Sequence, residues 1–514
     1  MSEPETPPHR DYMVLTIAFF SGLAVLAVEM SASRLLAPYF GDSQLVWANL
    51  IGLIMIYLAA GYYLGGRLAD KYPTATLLYQ LTAWAGFAIG LIPFLSRPIL
   101  NYSLSGFASY SVGIILGSLL GILLLFTLPV ILLGCVSPFA IRLQSKSVIS
   151  TGHTAGTIYA LSTLGSILGT FLPTLVLIPF LGTATTFLLC SLMLLSVSLT
   201  GLFQRTGYRA GWYLLLPLSI LLLRLLFPGG LVKPTEGLVF EKESFYNYIQ
   251  VADQDGRRVL MLNEGQALHS VYRPGQVLSG GVWDYFVLAP YFTALPNPEQ
   301  IQSVCMVGLA AGTAAKEYTA VYGPVSIRGV ELDPDVVEVG RRFFDMNEQN
   351  LSVTVQDGRY FLAGTDDSYD VIIADAYRQP YIPFHLATRE FFSLAREHLN
   401  PGGVVLVNAG RTASDFRLVD ALASTMSQVF PTVLILDVPG VSNSLVIGTD
   451  QETTVDRVQA RLDTISNEWL SYVAAQAVGR IRVFDGRGLV LTDDRAPVEH
   501  LTHLIVLRYL LQGE

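Results

Sequence analysis

The order of apolar and polar positions splits this chain in two. Apolar runs occupy 12–38, 45–66, 77–96, 110–134, 155–181, 184–203 and 210–228. Each is close to the ~20 residues a helix needs to cross the ~30 Å hydrocarbon core of a bilayer. They predict an all-α transmembrane helical bundle over 1–235 with about 7–8 spans, the eighth arising if the long first run breaks in two. Glycines four apart (Gly86 and Gly90; Gly113, Gly117 and Gly121; Gly165 and Gly169) let helix backbones approach closely, so a compact bundle is expected. Pro93, Pro129, Pro173 and Pro217 predict kinks within it.

After Pro228-Gly229-Gly230 the pattern becomes strand-like. Residues 246–251 and 259–262, either side of Asp255-Gly256, predict a small β-hairpin layer over 236–280. A helix is expected at 282–294, followed by strands at 302–307, 326–331, 353–356, 370–374, 403–408, 432–437 and 444–448. Helical stretches between most of them predict an α/β Rossmann-like domain over 281–514 with a mostly parallel sheet. Only Pro439-Gly440 joins the last two strands, so a terminal hairpin closes the sheet, as in Rossmann-like methyltransferases.

Composition agrees with this division. Hydrophobic residues make up 52% and charged residues 14%, against about 25% charged in an ordinary soluble protein, which excludes a wholly soluble or disordered chain. Residues 1–235 hold 11 Lys and Arg against 6 Asp and Glu, and the remainder hold 21 against 35. Arg10, Arg67 and Lys71, Arg142 and Lys146, and Arg205 and Arg209 fall on one side of alternating spans, the side expected to be cytoplasmic. Seven spans would then put the second half on the other face. The chemistry of that half, described next, outweighs the span count, and the expectation is a multi-pass protein of the cell (inner) membrane with its soluble domain cytoplasmic.

Glu29 is the one acid inside a span; it is expected to pair with Arg34 or Arg67, or to contact a substrate or ion. Gly65-Gly66-Arg67-Leu68-Ala69-Asp70-Lys71 resembles a loop of major-facilitator transporters, but no second six-helix half accompanies it. Cys135, Cys190 and Cys305 are expected to be buried thiols. No metal-ligand spacing occurs, so no metal is expected.

The chemistry lies at strand ends. Strand one runs into Val307-Gly308-Leu309-Ala310-Ala311-Gly312-Thr313, where glycines allow close backbone approach and a helix N-terminus follows. Strand two ends in Glu331-Leu332-Asp333-Pro334, with Glu331 placed to accept ribose hydroxyls. Strand three ends in Asp357-Gly358, where an acid could hold an adenine amine, and strand four in Asp375-Ala376-Tyr377-Arg378. Each acid alone could simply cap a helix. Four such sites, a glycine turn and three acids, at the ends of successive strands of an open sheet point to a nucleoside-type ligand. The G-x-G-x-x-G phosphate fingerprint is absent, which favours an adenosyl sulfonium over NAD.

With these motifs, residues 238–410 resemble the spermidine synthase (polyamine aminopropyltransferase) family in its form fused to a bacterial membrane domain. The membrane half is similar to that form in Glu29, Arg34 to Pro38, and Gly65 to Asp70, as is the late Leu491-Thr492-Asp493-Asp494 segment. The resemblance implies Gly308, Ala310, Gly312, Glu331, Leu332, Asp357, Gly358 and Asp375 as donor-binding residues, with Asp375 also catalytic. It implies S-adenosylmethionine or its decarboxylated form as donor and 5′-methylthioadenosine as product. The departures gather on the acceptor side. The glycine-loop acid is Ala311, the second acid of the catalytic segment is Arg378, and the hairpin Tyr-Gln pair reads Tyr246-Asn247. Tyr246, Gln266, His269, Tyr377 and Arg378 are the acceptor-site candidates.

Arginine's planar fork suits carboxylate or phosphate, so Arg378 points to an acceptor with an anionic group, small or lipid-like and membrane-delivered. Otherwise it pairs with Asp493, Asp494 or Glu499. The expected partners are an amine acceptor and membrane lipids, with a homodimer possible and no nucleic acid. A methyltransferase, or a nucleoside-sensing module on a transporter, are the competing readings.

Overall fold

A computed structural model describes residues 11–41, 43–107, 113–145, 151–227, 233, 235–263, 267–377, 381–486 and 488–512. It divides into two compact units: 1–234 with 242–245, and 235–241 with 246–514.

The first unit is helical: α1 (Tyr12–Phe40), α2 (Gln44–Lys71), α3 (Ala75–Phe107), α4 (Gly113–Gly134), α5 (Val136–Gln144), α6 (Thr151–Leu172), α7 (Ile178–Leu181), α8 (Thr183–Thr206) and α9 (Leu215–Leu226). Glycine spacing sets its packing. Cβ atoms added at Gly165 and Gly169 on α6 would lie 2.0 and 2.2 Å from the carbonyl oxygens of Phe19 and Leu23 on α1, so only glycine lets these helices meet so closely. Pro173 opens a π-helical turn, Pro173–Leu177, where it removes a backbone donor.

Among the described residues, six stretches are long and apolar enough to cross a membrane. The seventh apolar run does not form a helix of that length. It folds as a 3-10 segment, Gly207–Leu214, and the 12-residue α9, which rises only about 18 Å at 1.5 Å per residue. Both belong to one 44-residue apolar stretch with α8. Asp11 accepts from Arg205, and Asp70 accepts from Arg142 at 3.1 Å, so the basic helix ends gather where α1 begins. Beyond α9 the chain returns to the end where α1 stops. Lys233 lies 5.9 Å from the Tyr39 ring centroid, and Arg34 donates to the Phe245 carbonyl.

That contact replaces an expected one. Among the described residues Glu29 forms no ion pair with Arg34 or Arg67; Arg67 instead lies over the Tyr63 ring at 4.4 Å.

The second unit begins with a four-stranded sheet, β1 (Leu238–Glu243), β2 (Tyr248–Gln254), β3 (Arg257–Leu262) and β4 (Leu268–Tyr272), in that order. Asp255 and Gly256 at φ 52° and 71° form the expected turn. The helix expected at 282–294 is only α10 (Trp283–Phe286) and a 3-10 turn, Ala289–Phe292, because Pro290 cannot donate to a continuing helix.

Then follow β5 (Ser303–Val307), α11 (Thr313–Tyr322), β6 (Ser326–Glu331), α12 (Pro334–Phe343), β7 (Leu351–Val355), α13 (Gly358–Gly364), β8 (Tyr369–Ala374), α14 (Arg389–Glu397), β9 (Leu399–Gly410) and α15 (Arg417–Met426). The chain closes with β10 (Thr432–Asp437), β11 (Asn443–Thr449), α16 (Val455–Leu462), α17 (Glu468–Ala477), β12 (Ile481–Val483) and α18 (Val498–Gln512). The eight strands run in the order β12-β10-β11-β9-β8-β5-β6-β7. β7, β6, β5, β8 and β9 are parallel, while the β10–β11 hairpin and β12 are antiparallel. This is a Rossmann-like fold. Its sheet is buried on both faces, so the central strands read as continuous apolar runs. The edge strand β12 is three residues long, too short to announce itself in the sequence.

Candidate active site

Three of the helices that follow parallel strands begin with a side-chain cap. Asp333 caps α12 with Pro334 at its first position, Asp357 caps α13 and Thr388 caps α14. After β5, Gly308, Ala310 and Gly312 all have positive φ (90°, 49° and 86°). A Cβ on Gly308 would lie 2.5 Å from the Asp375 carbonyl oxygen and 2.7 Å from Ala376, so the turn sits directly against the end of β8.

Glu331 braces this turn. Its carboxylate accepts from the backbone N–H of Ala310 at 2.9 Å and of Asp333 at 3.0 Å. Burial raises its pKa, and these donors partly offset the rise. Leu332, next in the chain, is 41% exposed at the same edge. Asp357 bonds the N–H groups of Arg359 and Tyr360 through one oxygen and His385 Nε2, at 2.8 Å, through the other. The His385 bond is the main cause of its lowered pKa. Gly358 lies so close to β5 that a Cβ would meet Val307 at 2.1 Å.

A cavity of about 330 Å³ opens beside the Gly308 turn. One wall is β4, pinned to the start of α11: Thr313 Oγ1 accepts from the Val271 N–H and donates to its carbonyl, while Ser270 Oγ accepts from the Ala311 N–H. The facing wall is the 279–281 loop, held by the Asp284 carboxylate through the N–H groups of Ser279 and Gly280. Glu317, buried against Asp284, has its pKa driven well above the usual carboxylate range by that burial and by the neighbouring acid.

Asp375 forms the floor. Oδ1 accepts from Asn408 Nδ2 at 2.8 Å and Oδ2 from Trp283 Nε1 at 3.1 Å. Asn443 donates in turn to Asn408 Oδ1 at 2.9 Å. Burial of the carboxylate pushes its pKa up to about 7, although both donors favour the charged form. Such a group changes protonation near neutral pH, as a general base must. Tyr377 also lines the cavity, but its hydroxyl is engaged, donating to the Asn408 carbonyl and accepting from the Gly410 N–H, both at 2.9 Å.

Of the residues expected from sequence, the cavity brings together Gly308, Ala310, Asp375, Tyr377 and His269. Gly312, Glu331, Leu332, Asp357 and Gly358 lie on the adjoining strand ends, outside the cavity lining. Tyr246 does not line it either. Gln266 and Arg378 lie outside the described residues. Asp493 pairs with Arg359 at 2.6 Å and accepts from Thr388 Oγ1 at 2.7 Å, so the late motif ties α13 to α14.

Sequence reasoning missed Trp283, Asn408, Asn443, Arg257 and His385. All but His385 line the cavity.

Residues 294–456 match the family model described as the spermine/spermidine synthase domain. A probable polyamine aminopropyl transferase of Bifidobacterium longum is 32% identical over 286 residues, 51% of this chain and 62% of that protein. The match thus spans less than two thirds of that relative. A polyamine aminopropyltransferase of Oceanobacillus iheyensis is 24% identical over 454 residues, 82% of this chain and 83% of the relative, so that match reaches into the helical half. A solved probable spermidine synthase from Corynebacterium glutamicum is similar at 21% identity over 48% of this chain and 95% of its own, with a TM-score of 0.39.

Proposed function

We propose that this chain, whose residues 294–456 belong to the spermine/spermidine synthase domain family, is a membrane transferase moving an aminopropyl group from decarboxylated S-adenosylmethionine to an amine. One observation carries the reading: a carboxylate with pKa near 7, oriented by Trp283 and Asn408, faces a cavity beside a tight glycine turn. The fit to an adenosyl donor rests on that turn, where any Cβ at Gly308 would collide with backbone, and on the acids Glu331 and Asp357 at the neighbouring strand ends.

The donor supplies a carbon already activated by its sulfonium. The protein's task is to align an amine and free its lone pair. Asp375 accepts the proton of the incoming ammonium and orients the neutral amine. As the C–N bond forms, the C–S bond breaks and its electron pair stays on sulfur, giving neutral 5′-methylthioadenosine. The proton held by Asp375 then passes to water.

The helical unit is embedded in the cell membrane, and the catalytic unit faces the cytoplasm, where adenosyl donors are made. The test is incubation of the full chain in lipid nanodiscs with labelled donor, then mass spectrometry of amine and lipid extracts. A labelled amine with stoichiometric 5′-methylthioadenosine is expected. Donor binding without any product would favour a nucleoside sensor instead.

A further inference from the structure

The cavity holds a cation that no step above uses. Arg257, the first residue of β3, lines it, and its guanidinium Nε is buried without a hydrogen-bond partner. Among the described residues no carboxylate pairs with it. On the next strand the buried ring of His269 lines the same cavity, beside the backbone of Ala267. Its burial pushes the ring pKa down to about 4, so the imidazole is neutral at pH 7. Asp375 is the one acid in the described lining.

A buried charged donor left without a partner is costly, so the orphaned Arg257 Nε calls for a ligand that supplies an acceptor. The chemistry narrows that ligand. A guanidinium repels the ammonium ends of a diamine and of a decarboxylated aminopropyl chain, whereas its fork matches a carboxylate.

We propose that Arg257, seconded by His269, recognises a carboxylate on one of the two reactants, so that the reacting pair carries an acid as well as the amine served by Asp375. This rests on the alkyl-transfer reading above. The carboxylate could belong to the donor, which would then be S-adenosylmethionine itself, or to an amino-acid acceptor.

The test uses the full chain in nanodiscs. Calorimetry compares 5′-methylthioadenosine, S-adenosylmethionine and the decarboxylated donor. Turnover then compares ornithine with putrescine, using whichever donor binds. We expect a preference of about tenfold or more for the carboxylated member of one pair, the size of one charge-assisted hydrogen bond. R257Q should erase it and R257K retain part of it, while retained 5′-methylthioadenosine binding reports an intact pocket. A wild-type protein that binds 5′-methylthioadenosine but prefers the decarboxylated member in both comparisons overturns this inference alone. So does a carboxylate preference that survives in R257Q. A wild-type protein that binds none of the three nucleosides overturns the transferase reading and this inference with it.

Discussion

Asn408 donates from Nδ2 to Oδ1 of Asp375 over 2.8 Å, while its own Oδ1 is occupied by Asn443. That second bond fixes which end of the amide faces the carboxylate. The Asn408 donor favours charged Asp375, so it holds down a pKa that burial pushes up to about 7. Replacing Asn408 by Ala should therefore raise that pKa and move the acidic limb of the kcat–pH profile to higher pH. Asp375→Asn should lower kcat by about 10²–10⁴-fold, the usual contribution of a positioned base. A limb that stays put or moves down in N408A would remove Asp375 from the role of titrating base.

Gly308 is the second point of leverage. Its φ of 90° and the 2.5 Å approach of the Asp375 carbonyl leave no room for a side chain. Gly308→Ala should cost about 1–3 kcal/mol through backbone strain alone and weaken 5′-methylthioadenosine binding. Thermal unfolding and calorimetry would read the two effects. Wild-type affinity in this variant would mean that the donor does not use the turn.

How much of this was readable in advance depended on whether a feature is local. The strands of the Rossmann-like sheet showed as apolar runs because each is buried on both faces, and Glu331, Asp357 and Asp375 stood out because each ends one. Trp283 and Asn408 did not, because they meet Asp375 from 92 and 33 residues away. Arg257 looked like an ordinary hairpin residue, since nothing in its neighbours shows that its Nε is buried unpaired. The helix expected at 282–294 failed at Pro290, and the last apolar run was apolar enough for a span but broke into a 3-10 segment and a short helix.

Asp357 serves two purposes that substitution can separate. It caps α13, a role worth about 1 kcal/mol that Ser can also fill. It also points an oxygen at His385, where an adenine amine could bind. Asp357→Ser should keep the melting temperature within a few degrees of wild type while weakening 5′-methylthioadenosine binding about tenfold, the loss of one hydrogen bond to a charged group. Unchanged affinity in D357S would reduce Asp357 to a helix cap.

The two ends of the helical unit make opposite demands on topology. Arg67, Arg142 and Arg205 gather where α1 begins, and basic ends usually face the cytoplasm. Yet the chain leaves the bundle at the other end, beside Tyr39 and Arg34. The function proposed above requires the catalytic unit in the cytoplasm, and under that proposal the basic end lies outside. The charge bias is a statistical preference, whereas an enzyme without donor has no activity. Cysteines introduced singly at the exposed Tyr208, next to the basic end, and Tyr472, on the catalytic unit, would decide it, since Cys135, Cys190 and Cys305 are buried. An impermeant maleimide applied to intact cells should label Tyr208→Cys, and reach Tyr472→Cys only after lysis. The reverse pattern would place the catalytic unit outside, and with it would fall the cytoplasmic donor.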